Sequence, residues 1–171
     1  MNVLAGFIEP QAGEVLIDGK SPHNTRVGYI VQNYRESLFP WRRNLDNVAF
    51  PLEIQRVGRE ERRKAAERTM EEMGINVPHR GYPYQLSGGQ QQLLAIARAM
   101  VYAPDLLAMD EPFSALDYQT RLSMHDKILE AWQRSGITVV FISHDLDEAV
   151  YLADRIVVFT KLPARVMNII E

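Results

Sequence analysis

The chain has 171 residues, 19 basic and 22 acidic side chains, no cysteine and 46% hydrophobic residues, for a formal net charge of −3. That length bounds it at one domain with at most a small appended lobe, and the apolar content suffices for a packed core rather than a disordered chain. Mild acidity argues against a nucleic-acid footprint, the missing cysteines exclude disulfides and thiolate chemistry and suit a reducing compartment, and no apolar run reaches the roughly 20 residues that span a bilayer.

In chain order, Met1-Asn2-Val3-Leu4-Ala5-Gly6-Phe7 lacks the basic start of a signal peptide and reads as the end of a helix whose beginning is missing. Glu14 to Asp18 is expected as a strand closing on a turn at Gly19-Lys20, and Val27 to Val31 as a second strand. Residues 40–51, broken by Pro40 and Pro51, suggest loop and short helix. Arg59 to Met73 is a polar surface helix with many i,i+4 charge pairs, stopped by Gly74. Ser87 can cap a helix to Met100 whose run Leu93 to Ala97 leaves almost no polar face, so it must be buried. Pro104-Asp105 introduces a strand, Leu106 to Met109; a helix from about Gln119 to Arg134 ends at Gly136; a strand Ile137 to Ser143, a helix Asp145 to Ala153 and a strand Ile156 to Thr160 follow. Such alternation implies an α/β fold with a parallel sheet covered on both faces.

In parallel sheets the carboxyl ends of the strands face the ligand crevice. Three strands here end in polar residues: at Gln32, at Asp110-Glu111 and at Ser143-His144. Asp110 suits a magnesium ion, which prefers oxygen ligands and keeps much of its water, and Glu111 can polarise an attacking water. Taken alone, the acidic pair is equally well read as helix-capping or surface residues. Leu86-Ser87-Gly88-Gly89-Gln90 puts a capping serine and two glycines at a helix start, where bare amides and the helix dipole can meet phosphate oxygens. A Gly-Gly pair by itself is usually a turn.

Together, Gln32, Leu86-Ser87-Gly88-Gly89-Gln90, Leu106-Leu107-Ala108-Met109-Asp110-Glu111-Pro112, Ser114-Ala115-Leu116-Asp117 and His144 resemble, in this order, the ATP-binding-cassette ATPase family across essentially the whole chain. The resemblance implies a P-loop NTPase-like (RecA-like) parallel sheet core from residues 1–32 and 105–171, with a helical signature lobe at about 33–104. It implies that Gln32 touches Mg2+ and the attacking water, that Asp110 holds the metal, that Glu111 is the catalytic base and that His144 senses the γ-phosphate. Ser87, Gly88, Gly89 and Gln90 would contact ATP held by the opposite member of a homodimer, with Asp117 in the D-loop that lies between the two copies. The implied protein is an importer subunit that uses ATP and Mg2+ to energise uptake of a small anionic solute. Its implied partners are a transmembrane permease and, indirectly, a periplasmic or extracellular solute-binding protein, without nucleic acid. Its implied place is the cytoplasm, peripheral at the inner face of the membrane. Leu38-Phe39-Pro40-Trp41, Asn44 to Leu52 and Pro163-Ala164-Arg165-Val166 are similar to importers of nitrate, sulfonate or taurine type, with Ala164 where glycine is commoner. Leu93 stands where the family often has a basic residue. His23, His79 and His125 read as structural.

The phosphate loop of such sites, G-x-x-x-x-G-K-[ST], does not occur in these residues. Gly13 to Ser21 has one residue too many between its glycines, so Gly19-Lys20-Ser21 reads as a turn. Met1 to Gly6 matches the helix just after that loop in the family. The expectation is a chain that starts late, is N-terminally truncated, binds ATP weakly and hydrolyses little unless the missing segment is supplied. A gap in the sheet with exposed apolar edges would accompany it. The alternative to an active subunit is a catalytically inactive cassette acting only as a partner-binding module. The cassette heads of chromosome-maintenance and DNA-repair ATPases fit less well, because residues 32–87 lack sustained heptads.

Overall fold

The computed structural model describes residues 1–33 and 37–171. Among these, five α-helices are formed: α1 (Asn44–Ile54), α2 (Arg59–Glu72), α3 (Gly88–Met100), α4 (Tyr118–Ser135) and α5 (Leu146–Leu152). Strands β1 (Val27–Ile30), β2 (Leu106–Asp110) and β3 (Thr138–Ile142) make a parallel sheet in that spatial order. The apolar run of β2 is buried throughout, as a central parallel strand requires.

Residues in register share a face of the sheet. One face carries Gly28 and Ile30, Leu107 and Met109, and Val139 and Phe141. Helices α3 and α4 cover it. The backbone of α3 comes so close that a Cβ on Gly28 would lie 2.9 Å from the Ala99 carbonyl oxygen, and Trp132 of α4 packs 6.5 Å from the Phe141 ring. On the other face, Tyr29 meets the turn at residues 1–7, its ring 5.0 Å from Phe7 and its hydroxyl donating to Asn2 at 2.9 Å. That cover does not extend across β3, where Val140 and Ile142 are 38% and 44% exposed. Coverage of the sheet is therefore one-sided at β3, rather than equal on both faces as the alternation of elements suggests.

The turn at residues 1–7 has the form of a helix end. Ala5 N–H donates to Met1, Phe7 N–H to Asn2 and Gly6 N–H to Val3, with Gly6 at φ +76°. These are the paired backbone bonds that close a helix on a left-handed glycine. Gly74 and Gly136, at φ +61° and +63°, stop α2 and α4 where expected.

Three elements differ from expectation. Glu14 to Asp18 forms no strand: Ile17 and Lys20 bridge across a turn at Asp18-Gly19, and among the described residues no strand pairs with the segment. The segment with Pro51 is a continuous eleven-residue helix, α1. Leu45, Val48, Ala49 and Leu52, at helical spacing, are all buried, and burial of about 1.5–3 kcal/mol per large side chain outweighs the bond that Pro51 cannot donate. The start of α1 is satisfied from outside, with Asn44 N–H donating to Gly81 at 2.8 Å and Leu45 N–H to His79 at 3.2 Å. Finally, β4 (Ile156–Phe159) does not join the parallel sheet. It pairs antiparallel with β5 (Val166–Ile170), the next segment able to bond it through a short connection.

Candidate functional site

The parallel arrangement brings the ends of β1, β2 and β3 to one edge, and with them Gln32, Glu111 and His144. Gln32 Nε2 donates to Glu111 Oε2 at 2.9 Å, and His144 Nδ1 lies 3.3 Å from Glu111 Oε1. Both carboxylate oxygens thus have a partner, while the His144 side chain is 73% exposed, so the group stands open to solvent. Glu111 has φ +44°, a left-handed conformation that costs a residue other than glycine about 1–3 kcal/mol. Its neighbours hold it there: Glu111 N–H donates to Ile142 at 2.9 Å, and Ser114 donates to the Glu111 carbonyl through N–H at 3.3 Å and Oγ at 3.0 Å. A carboxylate held between an amide and an imidazole is equipped to orient a water and accept its proton.

Asp110 closes β2 and is half-buried. Its charge, after burial, helps raise the Tyr29 hydroxyl above the ordinary tyrosine range. No cluster of three or more acidic or histidine side chains able to hold a metal occurs among the described residues. A hydrated Mg2+ needs less: one carboxylate and one further oxygen suffice when water fills the remaining positions. Asp110 and the amide oxygen of Gln32, whose Nε2 binds Glu111, are oxygens of that kind at the strand ends.

Ser87, Gly88, Gly89, Gln90 and Asp117 form a second group. Ser87 Oγ accepts from Gln90 N–H at 3.3 Å and Gln90 Oε1 accepts from Ser87 N–H at 2.9 Å, a reciprocal cap on α3. Gly88 is half-exposed, whereas Gly89 is buried, and a Cβ there would lie 2.5 Å from Thr120 Cγ2. The second glycine thus lets the start of α3 pack on the start of α4. Asp117 caps α4, accepting from Thr120 N–H at 3.0 Å, and hydrogen bonding by the Thr120 side chain and then its amide holds the Asp117 carboxyl below the ordinary range.

Other side chains bind these groups together and escape sequence reasoning. Gln92 is fully buried and donates to the Pro112 carbonyl at 2.6 Å, tying α3 to the turn after Glu111. His125 is buried against Glu148 at 3.2 Å, and Arg121, one helical turn earlier, pairs with Asp145 at 2.8 Å. The i,i+4 spacing of Arg121 and His125 was the only hint of these pairings in the sequence. His23 and His79 remain on the surface beside Glu9 and Glu67.

Away from the strand ends, a groove of about 410 Å³ is lined by Phe39, Phe50, Pro51, Ile54, Arg98 and Tyr102, among others. Asn47 fixes its rim through two bonds to the Phe39 backbone, at 2.8 and 3.0 Å. Arg98 donates to the Ser37 carbonyl at 2.6 Å and lies 5.4 Å from the Phe39 ring centre. Trp41 stands outside, 72% exposed.

The family model for ABC transporters matches residues 1–114. An uncharacterized ABC transporter ATP-binding protein of Methanocaldococcus jannaschii is 43% identical over 173 residues, covering 100% of this chain and 64% of that protein. The taurine import ATP-binding protein TauB of Escherichia coli is 41% identical over 170 residues, covering 98% of this chain and 66% of that protein. The chain therefore spans about two thirds of the length of such relatives. The ATP-binding cassette MJ0796, solved as a dimer bound to ADP and phosphate, superposes with a TM-score of 0.75 at 30% identity, covering 91% of this chain and 72% of that one. CbiO1 from Clostridium perfringens has the same fold, with a TM-score of 0.82 at 24% identity, covering 91% of this chain and 65% of that one. The chain belongs to the ABC transporter family, and its core is that of a P-loop NTPase.

Proposed function

We propose that this member of the ABC transporter family acts as the ATP-hydrolysing subunit of an importer. The observation that carries the reading is the contact of Gln32 and His144 with the two oxygens of Glu111 at the ends of three adjacent strands. Glu111 takes the proton of the water that attacks the γ-phosphorus as the bond to ADP breaks, and His144 stands where it can meet the γ-phosphate. Asp110 and Gln32 hold Mg2+, which, when bound, neutralises charge on the phosphate oxygens. Ser87, Gly88, Gly89 and Gln90, with Asp117, face ATP on a second copy of the chain.

The groove at Phe39 and Arg98, on the helical lobe of about residues 33–104, docks a transmembrane permease, which sets the protein at the inner face of the membrane. A small anionic solute, passed on by a solute-binding protein, is the cargo; the name of the taurine relatives supports this class. Phosphate release from saturating Mg-ATP, measured with the family's phosphate-loop segment supplied to the chain, tests the enzymatic part. Glu111→Gln is expected to lower it by about 10²–10⁴-fold, the range for loss of a positioned base. No release from the unaltered chain, or equal release from the variant, overturns the assignment.

A further inference from the structure

His144 is exposed, yet the residues on both sides of it are tied down from one helix. Ser143 Oγ donates to Glu148 Oε2 and accepts from Asp145 N–H at 3.0 Å. Asp145 in turn accepts from the amides of Asp147 and Glu148 and pairs with Arg121 of α4. Glu148, only 4% exposed, meets His125 of α4, itself 6% exposed. A carboxylate this deeply buried needs hydrogen-bond donors, and in this structure Ser143 and His125 are placed to provide them. Phe113 packs edge-on to the His125 ring at 4.9 Å, and Tyr151, bonded to Asp126, lies at 6.1 Å. The imidazole thus meets Glu148 between two rings that flank it.

We propose that His125 is a positioning residue: acting through Glu148 and Ser143, it holds the 143–145 segment so that His144 stays against Glu111. The proposal deepens the hydrolytic reading above and rests on it for its consequence in catalysis, but the placement of His144 can be measured without nucleotide. α4 is also the helix whose start packs on Gly89, so one rigid element spans the signature glycine and the His144 segment.

The chain has four histidines, and their ring carbon–proton NMR signals can be assigned by single substitutions. Glu111→Ala marks the shift of a His144 released from its partner. In His125→Leu, which removes the donor to Glu148, the His144 signal is expected to move toward that position. In His125→Gln, whose amide reaches Glu148 in place of Nε2, it is expected to stay. Should the leucine variant fail to fold, His125→Asn, polar but too short to reach, replaces it with the same expectation. A His144 signal unmoved in the folded donor-less variant, or moved equally in His125→Gln, overturns the proposal. If the signals behave as expected while no variant and no parent chain releases phosphate, the positioning stands and the hydrolytic reading falls.

Discussion

The two faces of the parallel sheet are built differently. Beneath α3 and α4, the side chains of Leu107 and Met109 are wholly excluded from water, and helix and sheet approach so closely that Gly28 has room for no side chain. Across the sheet, the turn at residues 1–7 meets Tyr29 of β1, but β3 exposes Val140 and Ile142, and the hairpin beyond exposes Phe159 at 61%. Among the described residues no strand pairs with the outer edge of β3. The close packing thus lies on one side of the sheet, the side from which α4 also reaches the segment that carries His144.

Substitutions rank accordingly. Leu107→Ala, in the helix-covered face, is expected to cost about 2–5 kcal/mol in denaturant unfolding, because the cavity cannot fill. Gly28→Ala should cost about 1–3 kcal/mol, since the contact at 2.9 Å is with backbone, and a cost below that range would show that β1 and α3 are less firmly seated than the distance implies. Asp117→Ala removes a cap and should cost about 0.5–2 kcal/mol. Val140→Thr, on the exposed side of β3, should change stability by no more than about 0.5 kcal/mol; a core-sized loss there would erase the distinction between the faces.

Acid acts on a different set of contacts, the carboxylates at helix starts and beside Arg26. Asp105, Asp117 and Asp145 are held below the ordinary aspartate range, by hydrogen bonds from Arg26, from Thr120 and from the Glu148 amide respectively. A depressed carboxyl stabilises the folded chain fully above its unfolded value and loses that contribution as pH falls through the folded one. Stability followed by circular dichroism should thus decline below the ordinary aspartate range, and Asp117→Asn should flatten part of that decline.

The elements legible in the sequence were those whose signals are local. The apolar run of β2, the Ser87 cap and the glycine stops at 74 and 136 each declare themselves within a few residues, and a parallel sheet then gathers Gln32, Glu111 and His144 with no further information. Pairings were not legible. The alternation of β4 is the same whether it joins a parallel sheet or folds back on β5. Buried contacts such as Gln92 with Pro112 and His125 with Glu148 join residues 20 and 23 positions apart, and neither partner advertises the other. At α1, the cost of Pro51 was visible in the sequence, whereas the compensating burial depended on tertiary contacts.

The backbone at residue 111 sets fold and chemistry at odds. Were stability the sole criterion, a left-handed φ of +44° would call for glycine, and Glu111→Gly should melt at a higher temperature than Glu111→Ala, which keeps the strain and lacks the carboxylate equally. Glutamate at that position is thus a thermodynamically disfavoured occupant, kept in place by Ser114 and the end of β3. A screen for thermostable variants of this chain would be drawn to replace the very side chain on which hydrolysis is proposed to depend.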